Sequence, residues 1–167
     1  MPGLDFDPIE RAGELWEKHV GPADSMRLAT SLMRVHQLVL AELDAAVRPH
    51  GITFARFEVL RLLSFSSRGS LPLSKIGQRL MVHPTSVTNV IDRLTADGLV
   101  DREVDSTDRR RVLASLTEEG RTVLDAATES LMRIDFGLHA LPAEQQRAAF
   151  EILRILRTTD FEEPSAG

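Results

Sequence analysis

Residues Pro84 to Asp97, PTSVTNVIDRLTAD, constrain this chain more than any other stretch. On a helical wheel Val87, Val90, Ile91 and Leu94 share one side. Thr85, Asn89 and Asp92 lie opposite, with Ser86, Thr88 and Arg93 on the flanks. A plain solvated helix face usually carries Glu and Lys four residues apart, and this segment contains neither residue. Its outward chemistry is short hydroxyls, one carboxamide and one guanidinium. A DNA major groove rewards those groups: Arg pairs with guanine, Asn with adenine, and Ser or Thr with a base edge or phosphate.

The neighbouring residues fix how this helix is presented. Ser74 to Leu80 reads as a short preceding helix with Ser74 as its N-cap. Met81-Val82-His83 is the turn, and Pro84 suits a first helical position that needs no N–H. Gly98 ends the second helix, as a left-handed residue does. Leu99 to Val104 and Val112 to Leu116 read as two strands, and Leu71 is expected to add a short third. Between the two strands lies Asp105-Ser106-Thr107-Asp108-Arg109-Arg110-Arg111. Two helices across a tight turn, then a hairpin with an arginine-rich tip, predict a winged helix-turn-helix. The expected fold is mainly α with a small β-wing, plus a helical dimerisation lobe.

The run DRLTADGLVDREVDSTDRRRVLASLTEEG, from Asp92 to Gly120, resembles the MarR family of bacterial transcription regulators. The D-x-x-D-R-R tip and the strand ending in L-T-x-x-G are the most specific parts. The resemblance covers most of the chain. It implies that the first helix of the pair supports, the second enters the major groove, and a wing arginine reaches the adjacent minor groove. Arg110 is the residue so implied, with Asp108 holding its guanidinium. Physics supports this independently, because a narrow minor groove concentrates negative potential and attracts an inserted Arg. The DNA-binding set expected from both arguments is Thr85, Ser86, Thr88, Asn89 and Arg93 for bases, and Asp108 with Arg110 for the minor groove. Ser74, His83, Arg109 and Arg111 are assigned to phosphates.

At 167 residues the chain suffices for one compact domain or two small lobes. Its net charge of −5 looks wrong for a DNA binder, yet local distribution matters more than the sum, and three arginines concentrate at the wing. The absence of Cys excludes disulfides, thiolate metal sites and a cysteine-based peroxide sensor. The five histidines show no metal-ligand spacing, so no metal and no cofactor are expected. No apolar run could span a membrane, and the short acidic start is no signal peptide. The expected location is cytoplasmic.

The flanks divide the chain further. Residues 1–23 form an extension in which Asp7-Pro8-Ile9-Glu10 opens a helix with a capping box, running to about Val20 and carrying Trp16. Some family members, resembling the PecS-type and urate-responsive regulators, have such an added helix with a Trp near the ligand pocket. The alternative is that Trp16 is a hydrophobic anchor. Asp24 is expected to cap a helix over Ser25 to Arg48, with a stripe of Leu28, Leu32, Val35, Val39, Leu43 and Ala46. Thr53 caps Phe54 to Phe65, Thr117 caps Glu118 to Leu138, and Pro142 opens a last helix to Thr159. Residues 161–167 read as a disordered tail. Residues 51–117 are then the DNA-binding domain, and 24–50 with 118–160 the helical lobe.

Those end helices carry more apolar surface than one chain can use, so a two-fold dimer is expected, with two recognition helices facing a pseudo-palindromic site of double-stranded DNA. The resemblance implies a small-molecule effector bound where dimer helices meet the winged domain. Trp16, Arg34, His36, Phe57 and Arg61 are its candidate contacts, with an acidic aromatic ligand in view. The sequence as a whole reads as a sequence-specific repressor released by such a ligand. No catalytic motif occurs, so an enzyme is disfavoured. A winged-helix module that binds protein instead of DNA stays open as the alternative.

Overall fold

Side chains at the chain's punctuation points decide where its helices begin. The computed structural model describes residues 4–67 and 69–158. Helix α1 (Pro8–His19) starts with the Asp7 carboxylate accepting the N–H groups of Ile9 at 2.8 Å and Glu10 at 3.3 Å. Glu10 does not close the expected capping box. Its carboxylate turns to Arg27, 3.3 Å away on helix α2 (Asp24–Val47), where Glu17 is a second partner. The Arg27 side chain lies across Gly13, where any β-carbon would overlap it. Asp24 is the first residue of α2 and not its cap, since Ala23 holds that position without a side-chain bond. The carboxylate still meets the positive end of the helix dipole.

After a 3-10 turn (Arg48–His50), helix α3 (Phe54–Ser64) is capped by Thr53, which accepts the Arg56 N–H at 3.4 Å. The Phe54 N–H goes instead to Asp44 of α2, at 2.7 Å. Strand β1 (Ser70–Pro72) is the short third strand expected at Leu71. It feeds directly into helix α4 (Leu73–Leu80), so Pro72 takes the cap position and Ser74 falls inside the first turn. Ser74 is therefore not the N-cap, and its side chain is exposed.

Helix α5 (Pro84–Ala96) follows the turn, then β2 (Val100–Val104) and β3 (Val112–Leu116). The antiparallel sheet has the order β1-β3-β2. Ala114 stands at its centre, opposite Leu71 on one side and Arg102 on the other.

Helix α6 (Glu118–Arg133) begins with Thr117 Oγ1 accepting the Gly120 N–H at 2.9 Å. It stops well short of Leu138. Asp135 and Phe136 take left-handed φ values of 48° and 51°, in a 3-10 turn (Asp135–Gly137). Ile134 and Phe136 pack against the core there, and that burial offsets the backbone strain. Helix α7 (Ala143–Leu156) starts one residue after Pro142 and ends before Thr159. Thr159 and the tail at 161–167 lie outside the described residues.

The core joins α3, α4, α5, the sheet and α6 through Leu60, Leu63, Ile76, Ile91, Leu94, Leu124 and Leu131, all fully buried. The C-terminal half of α2 reaches it, with Leu43 and Val47 buried and Val39 and Ala46 packed against it. Helix α7 has no buried residue.

Candidate nucleic-acid interface

Helix α5 sorts its side chains as its sequence demands. Val87, Ile91 and Leu94 are buried at 2% exposure or less, while Thr85, Ser86, Thr88, Asn89, Asp92 and Arg93 face outward. Among the described residues Asn89 and Arg93 make no side-chain bond, so both are available to a ligand. Thr88 Oγ1 donates to the Pro84 carbonyl at 3.2 Å. His83 is the N-cap: its Nδ1 accepts the Thr85 N–H at 3.3 Å, which holds the start of α5 and leaves Nε2 to another partner. Gly77 lets α4 approach closely, because a β-carbon would stand 3.2 Å from Val87 Cγ2. Met81 makes the turn with a left-handed φ of 54°.

Two salt bridges brace this helix. Asp92, the carboxylate on the outward face, pairs with Arg102 of β2. Asp97, at the C-terminal end, pairs with Arg56 of α3 at 2.9 Å. Both bridges neutralise negative charge that would otherwise repel a polyanion, and both were missed by sequence reasoning. For Arg102 a signal existed: it is the lone cation between Asp101 and Glu103 in β2.

The wing tip is folded by Asp105. Its buried carboxylate accepts the Thr107 N–H at 2.8 Å and the Thr107 hydroxyl at 2.7 Å, and lies 3.7 Å from Arg111 Nε. The hydrogen bonds from Thr107 hold its carboxyl pKa below the usual value, with the Arg111 charge adding to them. The backbone closes in the same place, with Asp105 N–H to the Arg111 carbonyl and Arg111 N–H to the Asp108 carbonyl, both at 2.9 Å. Asp108 Oδ1 accepts the Arg110 N–H at 3.0 Å and stands 3.7 Å from Arg110 Nε. Arg110 is left 95% exposed at the tip, with Arg109 beside it, also exposed.

Behind α5 lies a feature with no sequence signature. Glu58 of α3 shares a cavity of about 80 Å³ with Val59, Leu80, Val82, Val87, Val90 and Ser86. Glu58 is exposed overall, and partial desolvation of its carboxyl beside these apolar groups raises its pKa.

The five candidate ligand residues are not gathered in one cavity. Arg34 lines a groove of about 780 Å³ between α1 and α2 with Ile9, Met33 and Val35. Trp16 is 42% exposed on α1, and His36 is exposed on α2. Phe57 is core, with the Arg61 guanidinium 5.8 Å from its ring centroid. Among the described residues no cluster of His, Cys, Asp or Glu could hold a metal ion, and no helix is long and apolar enough to cross a membrane.

Comparison with known proteins identifies the family. The model of the MarR family matches residues 52–112. The transcriptional regulator MhqR of Bacillus subtilis is 30% identical over 131 residues, spanning 78% of this chain and 89% of that protein. The crystal structure of Sco5413, a MarR family transcriptional regulator from Streptomyces coelicolor, is 52% identical with a TM-score of 0.77, covering 83% of this chain and 98% of that one. Sco3205 from the same organism, solved in complex with DNA, shares the fold at 24% identity and a TM-score of 0.74, covering 86% of this chain and 90% of that one.

Proposed function

This chain belongs to the MarR family and is a DNA-binding transcriptional regulator, not an enzyme; from that premise we propose that it acts as a homodimeric repressor, released from a pseudo-palindromic operator by a small aromatic acid. The observation that carries the proposal is the pairing of the free outward face of α5 with the exposed Arg110. Thr85, Ser86, Thr88, Asn89 and Arg93 then read the major groove, and Arg110, steadied by Asp108, enters the minor groove. Ser74, His83, Arg109 and Arg111 contact phosphates, which position the protein without specifying sequence.

The dimer is proposed from unspent apolar surface. Phe150, Ile152, Ile155 and Leu156 of α7 are more than half exposed, as are Leu28, Met33 and Val35 of α2. Large apolar side chains left uncovered on this scale point to an interface. A two-fold axis through these helices would set the two α5 helices about one DNA turn, roughly 34 Å, apart. The helical lobe is thus the part formed by α2, α6 and α7, and the DNA-binding domain the part from α3 to β3.

The experiment is a mobility titration of the DNA upstream of the chain's own gene, with light scattering to count protomers. One dimer per operator, released by an aromatic acid such as benzoate, is the expected result. A monomer bound to a single half-site would overturn the dimer reading, and tight complexes indifferent to a panel of aromatic acids would overturn the release reading.

A further inference from the structure

The corner that joins α2 to α3 is tied in several directions by polar side chains. Asp44 of α2 accepts the Phe54 N–H at the start of α3, at 2.7 Å. His50 Nε2 is hydrogen-bonded to Ser130 Oγ of α6, at 2.9 Å. Arg56 Nη1, from the first turn of α3, donates to Asp97 Oδ2 at 2.9 Å and reaches the Gly51 carbonyl at 3.5 Å. Gly51 ends the 3-10 turn that follows α2, with a φ of 76°. One guanidinium thus spans the corner after α2 and the C-terminal end of α5.

Asp97 is poorly placed for α5 by itself. It puts a negative charge at the negative end of the helix dipole, on a helix that faces a polyanion. Among the described residues Arg56 is the one partner of its side chain. The Arg56 side chain is only 17% exposed, so this is not an ordinary surface pair of little worth; without Asp97 a largely buried charge would lose its counter-ion. The end of α5 is fastened a second time by Thr117 Oγ1, which donates to the Gly98 carbonyl at 2.8 Å. Helix α5 has 13 residues, a length of about 20 Å. A tilt of about 5° at one end moves the other by about 1.7 Å, enough to break a hydrogen bond to a base edge.

We propose that Arg56 is a positioning residue for DNA reading: by holding Asp97 against the corner after α2, it sets the tilt of α5 without touching DNA. The inference rests on the reading in which the outward face of α5 enters the major groove. Its consequence is a split between specificity and general affinity. A tilted α5 loses base contacts, which carry the sequence information. Phosphate contacts carry none, and the exposed wing arginines lie outside α5, so affinity for duplex DNA of any sequence survives.

The test compares full-length native protein with Arg56→Gln, Asp97→Ala and the double variant. Fluorescence anisotropy is read on the DNA upstream of the chain's own gene and on a scrambled duplex of the same length. Both single variants should bind the upstream DNA at least about tenfold more weakly, and the double variant no more weakly than either, because the two changes remove one bond. Affinity for the scrambled duplex and the salt slope should stay at the native values. Asp97→Ala carries the sharper result and, with Asp97 half-exposed, keeps the test sound if Arg56→Gln folds poorly. Loss of a carboxylate acting only through its charge would strengthen binding to every duplex, so stronger binding of Asp97→Ala to both would overturn the proposal. So would equal affinity of all four proteins for the upstream DNA. Weaker binding of Arg56→Gln to both duplexes, with a salt slope lower by about one, would make Arg56 a phosphate contact and overturn it too. Asn89→Ala separates the two readings. If it leaves the preference for upstream DNA intact, the groove reading falls and the proposal with it. If it removes that preference while Arg56→Gln and Asp97→Ala keep it, the groove reading stands and the role of Arg56 falls.

Discussion

Gly120 lies directly beneath the carbonyl oxygen of Leu99. A β-carbon at position 120 would overlap that oxygen and come within 2.8 Å of Leu116 Cδ1. The contact is one of several in the same place: Thr117 N–H donates to the Leu99 carbonyl at 3.2 Å, and Thr117 Oγ1 donates to the Gly98 carbonyl at 2.8 Å. The start of α6 is thereby bolted to the residues that end α5, so the two helices share one joint.

Gly120→Ala should open that joint. The backbone must shift, because the obstructing atom is a carbonyl and not a flexible side chain. Destabilisation of about 1–3 kcal/mol is expected, read as a lower urea midpoint. An unchanged midpoint would mean that the joint yields freely.

Asp105→Ala should weaken DNA binding although Asp105 is buried and faces no ligand. Without the carboxylate, Thr107 and Arg111 lose their anchor and Arg110 loses its fixed platform. Faster amide exchange at residues 105–111, with the rest of the chain unaltered, is the accompanying signature. Normal exchange there would remove Asp105 from the account.

Glu58 and Asp105 predict opposite pH dependences. Partial desolvation raises the pKa of Glu58, an exposed residue, so the folded state holds this proton somewhat more tightly than the unfolded state. Its contribution to stability therefore rises as pH falls through the raised folded value, and levels off below the ordinary carboxylate range. Glu58→Gln should be more stable than the native chain at pH 7, with the advantage vanishing at about pH 4. Asp105 has a lowered pKa, and its stabilisation is present above the ordinary range and lost as pH drops through the lowered value. Urea unfolding at the two pH values separates them; a Glu58→Gln advantage that persists at low pH would show that charge burial is not its cause.

Ile152→Glu with Ile155→Glu should give a monomer. Both side chains are exposed in the single chain, at 60% and 70%, so the charges cost the protomer fold little. Light scattering that still reports a dimer would move the interface away from α7.

Much of this was legible in the chain. The buried and outward faces of α5 follow from its 3.6-residue period alone, and the wing followed from turn residues between two β-rich runs. Caps were legible where no tertiary contact took the capping oxygen away, as at Asp7, Thr53 and Thr117. They failed where tertiary contacts decided. Strand β1 carried the chain into α4 and left Ser74 inside the turn, and Arg27 drew Glu10 away from its capping box. The early end of α6 depends on Phe136 gaining contacts with distant residues, which no local pattern reveals. The brace Arg56–Asp97, the Glu58 cavity and the bond from the Arg61 guanidinium to Thr128 Oγ1 join segments far apart in sequence, and the brace Arg102–Asp92 crosses from α5 to β2 over ten residues. Two of the five expected ligand residues, Phe57 and Arg61, are in contact, while Arg34 lines the α1–α2 groove.

On the proposed reading, Arg110 completes a two-part DNA reader with α5. The most direct test is fluorescence anisotropy of native protein and Arg110→Ala against the DNA upstream of its own gene, at two salt concentrations. Arg110 is nearly fully exposed, so its loss should leave fold and oligomeric state intact. The prediction is tight, site-selective, salt-sensitive binding by the native chain, an affinity loss of at least about tenfold in the variant, worth about 1.4 kcal/mol, and a salt slope lower by about one. Equal affinity and slope for the two proteins would contradict it.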